Sequence, residues 1–198
     1  MLFHGLVLGA AFAQLPPGEV TINQITYQGD GCPQGSVEAI ISADATVFTL
    51  LYSSFVASSG PGVALSENLK QCSVVVDLNH AHGYTYTALN LDHRGYVSVP
   101  AGLNAELSTT HFFKARPNNP NFHTVFPGPY DNDYLVTSNN GVKERSNCGK
   151  KSKARVNSSI RLYGGDTTTL AGYISGDSLD GSLQKTIQQV FHLDWKAC

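Results

Sequence analysis

Charged side chains, methionine and tryptophan are scarce in this sequence. Of its 198 residues 14% are Asp, Glu, Lys or Arg, the formal net charge is -2, and there is one Met and one Trp. Such a composition excludes the dense basic surface that nucleic-acid-binding proteins present. The one basic cluster, Lys143 to Arg155, is interpreted as a solvated loop. We therefore expect no nucleic-acid partner.

Long apolar runs are also missing, apart from the first 13 residues. No later segment is apolar enough for a membrane-spanning helix. The N-terminal run has the length of a signal-peptide core, and Ala11 to Ala13 resembles a small-residue cleavage site, although only His4 and the terminal amine supply positive charge. The alternative is a buried first strand or a retained segment. We interpret residues 1–13 as a secretory signal peptide and residues 14–198 as one domain of a secreted, extracellular protein.

Closely spaced cysteine pairs are absent as well. The four cysteines, Cys32, Cys72, Cys148 and Cys198, lie far apart, whereas structural zinc sites usually contain a C-x-x-C pair. An even number of cysteines in a secreted chain predicts two disulfides, in any of three pairings. If each cysteine pairs with the next one in the sequence, Cys32 with Cys72 and Cys148 with Cys198, the chain-entropy model gives a stabilisation of roughly 4 kcal/mol for each bond.

Glycosylation is predicted at one position. The tripeptide Asn157-Ser158-Ser159 is an acceptor sequence for N-linked glycan. Asn157 in a secreted protein is therefore expected at the surface.

Short alternating segments, separated by Gly, Pro and Asn, fill the rest of the chain. In Ser73 to His80, for example, the even-numbered residues from Val74 to His80 share one face. The segment from Ser182 to Val190 has apolar residues at helical spacing but runs into a strand pattern, so we favour a strand there. Many short strands with turn signals between them predict an all-β fold, an antiparallel β-sandwich in a single domain.

Several segments resemble a family of small secreted fungal proteins known as domain of unknown function 4360. These segments are VTINQITYQGDGCPQGSV, FTLLYSSFVASSGPGV, LKQCSVVVDL, RGYVSVPAG, FPGPYDNDYLVT, CG at Cys148 and the closing HLDWKAC. They follow the order of the family and cover nearly all of the chain after Pro17. The resemblance implies a secreted β-domain with disulfides Cys32–Cys72 and Cys148–Cys198. It implies no catalytic residue.

Histidines in LNHAHGYTYTALNLDHRGY, residues 78 to 96, are candidate metal ligands. On one continuous strand, His80 and His82 would lie on the same side. Gly83 instead predicts a turn at residues 81–83, and the segment is interpreted as a hairpin with His82 at its tip and His93 past its other end. A metal site at His80 and His82 stays a hypothesis that requires a ligand from a distant loop.

Acidic residues offer a second candidate cation site. Asp131 and Asp133 in PYDNDY, and Asp177 and Asp180 in SGDSLDG, would each supply two carboxylates, and calcium prefers oxygen ligands. Neither segment completes an EF-hand loop, and Asp in turns usually bonds its own backbone. A calcium site is the one cofactor hypothesis, and a glycosidase-type carboxylate pair would require the two segments to converge.

Tyrosines are the remaining candidates for binding. Tyr84, Tyr86, Tyr130 and Tyr134, together with Tyr96, are candidates for a sugar-stacking surface. The alternative is that they fill the core of half-buried sheets. Trp195 shares a face with Phe191 and Leu193, which predicts a core position.

Three functional hypotheses remain. The first, which the sequence favours, is a secreted binding or interaction module, effector-like or associated with cell-wall glycan, whose partner is such a glycan or a host or extracellular protein. The second is a metal- or carboxylate-dependent hydrolase, which requires several of the residues His80, His82, His93, Asp131 and Asp133 to converge. The third is a structural wall or matrix protein that self-associates through sheet edges.

Overall fold

The computed structural model describes residues 19–113, 122–138, 144–175 and 187–198. Strands make up most of this described chain, and one short 3-10 helix spans Leu65–Asn68. The strands are β1 (Thr21–Gln28), β2 (Val37–Ile41), β3 (Val47–Tyr52), β4 (Ala57–Ser59), β5 (Leu69–Val99), β6 (Asn104–Phe112), β7 (Phe122–Pro127), β8 (Tyr130–Ser138), β9 (Gly149–Tyr163), β10 (Gly172–Ser175) and β11 (Ile187–Ala197). All pairings between them are antiparallel, so the all-β prediction is confirmed. Within the described ranges no helix has the length and apolar character needed to cross a bilayer.

Strand β5 is 31 residues long and belongs to both layers of the fold. Its first part lies between β1 and β9, and its second part pairs with β11, β8 and β10. The ladder with β9 is interrupted after Asn79, where Gly83 adopts a φ of 83°, but Tyr84 again pairs with Gly149 of β9. The predicted hairpin at residues 81–83 is therefore wrong. The glycine permits a bend, and the chain continues along β9 instead of turning back.

Two layers pack face to face to form a β-sandwich. In the first layer the strand order is β1-β5-β9-β6-β7. The second layer contains β2-β3-β11-β5, with β8 on the other side of β5 and β10 beside β4. Ring contacts join the layers, since His111 and Phe191 are 5.5 Å apart and Tyr86 and Phe113 are 5.1 Å apart between ring centroids. Burial of the apolar side chains between the two layers is the main contribution that favours the folded state.

A buried polar network joins the same two layers. Gln189 of β11, which is fully buried, accepts a hydrogen bond from the hydroxyl of Tyr52 at 2.9 Å. Its amide nitrogen donates to Thr109 at 3.0 Å and to Ser158 at 2.7 Å. Because these groups satisfy one another, the network fixes the position of β11 relative to β6 and β9.

Both disulfides expected from the family resemblance are present. Cys32–Cys72 joins the segment after β1 to β5, and Cys148–Cys198 joins the start of β9 to the last residue. The amide of Cys198 also donates to the carbonyl of Gly83 at 2.8 Å. The C-terminus is thus held beside the bend in β5.

Part of the basic cluster, from Gly149 to Arg155, is a strand. Residues from Gly149 onward belong to β9, with Lys151 and Lys153 exposed and Ser152 and Ala154 buried. The solvated-loop prediction is therefore wrong for this part, because alternate small residues turn into the core between the lysines. Lys143 lies outside the described residues. The strand favoured at the end of the chain is confirmed from Ile187.

Candidate functional site

The outer face of the first layer carries rows of short uncharged side chains. Alternation along β9 turns Ser158 into the core and leaves Asn157 and Ser159 on the outer face. The strand register places Ser73 of β5 and Thr110 of β6 on either side of Asn157. In the next row Ser159 of β9 lies between Gln71 of β5 and Ser108 of β6. The face is therefore assembled from three strands whose residues are distant in sequence.

A groove of about 550 Å³ lies over these rows. All the described residues that line it are uncharged: Gln28, Gly29, Gln71, Cys72, Ser73, Ser108, Thr110, Asn157, Ser158 and Ser159. On its floor, the hydroxyl of Ser73 donates to the amide oxygen of Asn157 at 2.7 Å. The groove thus presents hydroxyl and amide groups, which both donate and accept hydrogen bonds.

One end of the groove is held against β5 by a tight backbone contact. Gly29 has a φ of 142°, and a Cβ atom there would lie 2.1 Å from the carbonyl oxygen of Gln71. The backbone carbonyl of Gln71 accepts a hydrogen bond from the backbone N–H of Gly31 at 2.9 Å. The backbone N–H of Gln71 donates to the carboxylate of Asp30 at 2.8 Å. Together with the Cys32–Cys72 bond, these contacts fix the wall at Gln28 and Gly29 before any ligand arrives.

Around Glu106, in the row of the sheet beyond Ser159, three ionisable side chains contact one another. Arg161 donates to Glu106 at 2.6 Å across β9 and β6, and His123 lies 3.5 Å from the other oxygen of Glu106. The guanidinium of Arg161 also stacks over the ring of Tyr163 at 4.5 Å. These charges lie on the next row of the sheet and are not among the groove-lining residues.

A second surface combines two tyrosines with a carboxylate. The rings of Tyr96 on β5 and Tyr173 on β10 are stacked, with centroids 5.7 Å apart and planes 23° apart. Tyr96 donates a hydrogen bond to Asp131 at 2.5 Å, which raises the pKa of Tyr96 and lowers that of Asp131. Asp133 pairs with Tyr96 in the strand register. The structure thus brings together Tyr96, Asp131 and Asp133, and it adds Tyr173, which the sequence did not single out.

The histidine candidates are separated by the two faces of β5. His80 is buried, with its ring edge-on to Trp195 at 5.3 Å and its Nδ1 atom 3.1 Å from the carbonyl of Ala81, whereas His82 is exposed. Burial lowers the pKa of His80 and favours its neutral form. His93 is fully buried and stacks on Phe122 at 4.0 Å. Nowhere in the described ranges do three or more His, Cys, Asp or Glu side chains form a group able to hold a metal ion.

The other predicted tyrosines contribute mainly to packing. Tyr86 is 1% exposed and packs against Trp195, and Tyr134 is 5% exposed and packs against Phe126, so other rings cover their faces. Tyr130 is partly buried against Phe126, and Tyr84 is partly buried against the core. The core position expected for Trp195 is confirmed, and its indole donates to the carbonyl of Ala45 at 2.7 Å. Asp177 and Asp180 lie outside the described residues.

Sequence comparison assigns the chain to a family. Residues 18–198 match the model of the family described as Domain of unknown function (DUF4360). The chain belongs to this family. A relative, an uncharacterized secreted protein of the fungus Arthroderma benhamiae, is 31% identical over 184 residues, which cover 92% of this chain and 73% of the relative. The DUF4360 protein described here is secreted, as its cysteines and N-terminal segment predicted.

Several solved structures show a distant likeness to this DUF4360 protein. One is TmCBM61 in complex with β-1,4-galactotriose, at 5% identity and a TM-score of 0.25, covering 89% of this chain and 90% of that one. Another, from a study of CBM4 structure and function, has 11% identity and a TM-score of 0.26, covering 76% and 81%. A third is the N-terminal cellulose-binding domain of Cellulomonas fimi β-1,4-glucanase C, at 8% identity and a TM-score of 0.22, covering 87% and 88%. At such TM-scores the likeness carries no argument about the ligand of this chain.

Proposed function

We propose that this protein is a secreted glycan-binding module and that the groove over β5, β9 and β6 is its binding site. The observation that carries the proposal is the neutral groove of about 550 Å³ with its rows of hydroxyl and amide side chains. This volume lies within the roughly 300–1,000 Å³ range of small-molecule binding sites.

The chemistry of the lining favours a neutral, polyhydroxylated ligand. Ser, Thr, Asn and Gln side chains match the hydroxyl groups of a sugar, because both partners donate and accept hydrogen bonds. An anionic ligand would find no cation among the described residues that line the groove, and an apolar ligand would leave the amides and hydroxyls desolvated and unpaired. Neutral oligosaccharide is therefore the ligand class that satisfies this groove.

The shape and rigidity of the site support the same ligand. The lining residues come from β5, β9 and β6 and from the end of β1, and neighbouring strands lie about 4.8 Å apart. The groove therefore spans roughly 14 Å across the sheet, enough for a short oligosaccharide. Because sheet pairing, the Ser73–Asn157 hydrogen bond and the Cys32–Cys72 bond hold the lining in place, little conformational entropy is lost on binding.

A groove-filling substitution tests this proposal. Ser108→Trp places an indole in the groove from its β6 side, while Leu135→Trp places the same side chain on β8, where Leu135 is 60% exposed. Each variant and the wild type, produced in bacterial periplasm and therefore without glycan at Asn157, are titrated calorimetrically with neutral gluco-, manno-, xylo-, galacto- and chito-oligosaccharides at millimolar concentration. We expect wild type and Leu135→Trp to bind at least one oligosaccharide and Ser108→Trp to bind none.

Two results would overturn the assignment. Equal binding by Ser108→Trp and the wild type would remove the ligand from the groove. Binding that is lost in Tyr173→Ala but kept in Ser108→Trp would move the site to the stacked Tyr96–Tyr173 pair of the second layer. If no oligosaccharide of the panel binds the wild type, the glycan-binding proposal itself fails.

A further inference from the structure

The glycosylation acceptor and the groove coincide. Asn157, the first residue of the sequon, lies in the middle of the groove, and Ser159, whose hydroxyl completes the sequon, lines it too. The hydrogen bond from Ser73 engages the amide oxygen of Asn157. In the planar amide, the nitrogen Nδ2 is on the opposite side from that oxygen, and it is the atom that carries an N-linked glycan.

We propose that Asn157 is N-glycosylated, that the attached glycan lies in the groove, and that it closes the groove to external ligand. The protein then exists in an open form, with unmodified Asn157, and in a covered form. The glycosylation of Asn157 and the placement of its glycan in the groove are argued from the position of Asn157 alone. The closing of the groove to external ligand rests on the proposed glycan-binding function, because it assigns a regulation to that site.

The groove suits the first sugars of an N-linked glycan. Those sugars are uncharged and carry hydroxyl and acetamido groups, the groups that hydrogen-bond to Ser, Gln and Asn side chains. Attachment at Asn157 brings them to Gln71, Ser73 and Ser108 at a very high effective concentration. An external oligosaccharide in solution would have to compete with this tethered one.

The modification must precede the completion of the sheet. The donor is a lipid-pyrophosphate-linked oligosaccharide: the bond from sugar C1 to the pyrophosphate oxygen breaks, the C1–Nδ2 bond forms, and the lipid pyrophosphate leaves while Nδ2 loses a proton. In the folded protein, β9 is paired with β5 on one side of Asn157 and with β6 on the other. An enzyme cannot enclose an asparagine held in this way, so transfer takes place on the unpaired chain, and folding then determines where the glycan lies.

Protection of the glycan is the first test. The full chain carrying Gln34→Asn is secreted from a eukaryotic host; this substitution creates a second sequon, at positions 34–36, on an exposed turn outside the groove lining. Peptide-N-glycosidase is added to native and to denatured protein, and each site is followed by peptide mass spectrometry. We expect the glycan at the introduced sequon to be released from native protein, and the Asn157 glycan to be released at least tenfold more slowly until the protein is denatured.

Assignment of the site uses Ser159→Ala, which removes the natural sequon. We expect this change to abolish the mass increment at Asn157 and to leave the increment at the introduced sequon. An unmodified Asn157 in the secreted wild type, or release of both glycans at equal rates from native protein, would overturn the proposal that the glycan lies in the groove.

Binding by the two glycoforms tests the regulatory statement. Wild-type protein from bacterial periplasm, which forms disulfides without this glycan, is compared with the glycosylated form, using the oligosaccharide that binds best in the panel above. We expect at least a tenfold lower affinity for the glycosylated form, and equal affinities would overturn the statement. If neither form binds any oligosaccharide but the Asn157 glycan resists peptide-N-glycosidase in the native protein, the proposed function fails. The placement of the glycan in the groove is then still supported.

Discussion

The hydroxyl of Ser73 donates a hydrogen bond of 2.7 Å to the amide oxygen of Asn157, its direct partner across β5 and β9. This bond holds the Asn157 amide in one orientation on the floor of the groove. A polar group that is already oriented loses less entropy when a ligand binds. The Ser73–Asn157 pair therefore links the sheet register to the proposed binding chemistry.

Substitution of Ser73 is expected to weaken binding. Ser73→Ala removes a hydrogen bond with a net value of about 0.5–1.5 kcal/mol, so the affinity for the oligosaccharide that binds the unmodified protein should fall about two- to tenfold. Ser58→Ala, a hydroxyl removal on β4 at the partner position of Tyr173, is the matched control and should leave affinity unchanged. Calorimetric titration measures both, and unchanged affinity in Ser73→Ala would contradict a role for the Asn157 orientation.

Gln189 is expected to be a major determinant of stability. Gln189→Leu removes one hydrogen-bond partner each from Tyr52, Thr109 and Ser158, all in the space between the layers. A buried polar group without a partner costs about 1–3 kcal/mol, so the free energy of unfolding should fall by about 3 kcal/mol. Gln188→Leu, one residue away on the other face of β11, should change it by less than about 1 kcal/mol. Urea unfolding followed by Trp195 fluorescence distinguishes these outcomes, and equal effects of the two substitutions would contradict the network's importance.

Alternation in the sequence was sufficient to predict the core face of the first part of β5. Val74, Val76 and Leu78 were expected on one face of a strand, and all three are buried. The bend at Gly83 was misread because alternation on both sides of a glycine looks the same in a hairpin and in a bent strand. The choice between them depends on which strand pairs with Tyr84, and that partner, Gly149, is 65 positions away in the sequence.

The groove could not be predicted as a site. Its rows consist of Ser, Thr, Asn and Gln, which occur on the outer face of any sheet, and only the pairing of β5, β9 and β6 brings Ser73, Asn157 and Thr110 together. The sequon marked Asn157 but gave no information about its neighbours. The Tyr96–Tyr173 pair was missed for the same reason, because β10 meets β5 through long-range pairing.

The disulfide at the C-terminus is expected to stabilise the fold substantially. Replacement of both Cys148 and Cys198 by serine opens a loop with a sequence separation of 50, and the chain-entropy model gives a loss of about 4 kcal/mol. The end of β11 pairs with Tyr84 and Trp195 lies on this strand, so hydrogen exchange should rise first at residues 194–197. Urea unfolding and exchange mass spectrometry measure the two effects. A loss below about 1 kcal/mol, or exchange that rises first elsewhere, would contradict this role.

Acid is expected to destabilise the protein through its buried histidines. Burial lowers the pKa of His93 to about 3 and that of His111 to about 4, and Asp92 offsets only part of the shift at His93. In the unfolded chain both titrate near about 6.5. Below that pH the unfolded chain binds protons that the folded protein does not, so stability is fully present above about pH 6.5 and falls as the pH decreases. Each histidine should contribute up to about 1.4 kcal/mol per pH unit between about pH 6 and pH 4.

Replacement of His93 separates its share of this acid sensitivity. His93→Phe keeps an aromatic ring against Phe122 and removes two ring nitrogens that have no hydrogen-bond partner in the described part of the chain. The slope of unfolding free energy against pH, measured by urea titration from pH 7 to pH 4.5, should fall by about a third to a half, whatever the stability of the variant at pH 7, because His111 and His80, whose pKa values burial also lowers, keep their contributions. His82→Gln, at an exposed position of β5, should keep the wild-type slope. A wild-type slope in His93→Phe would show that His93 takes up its proton in the folded protein and would contradict its burial in a neutral form.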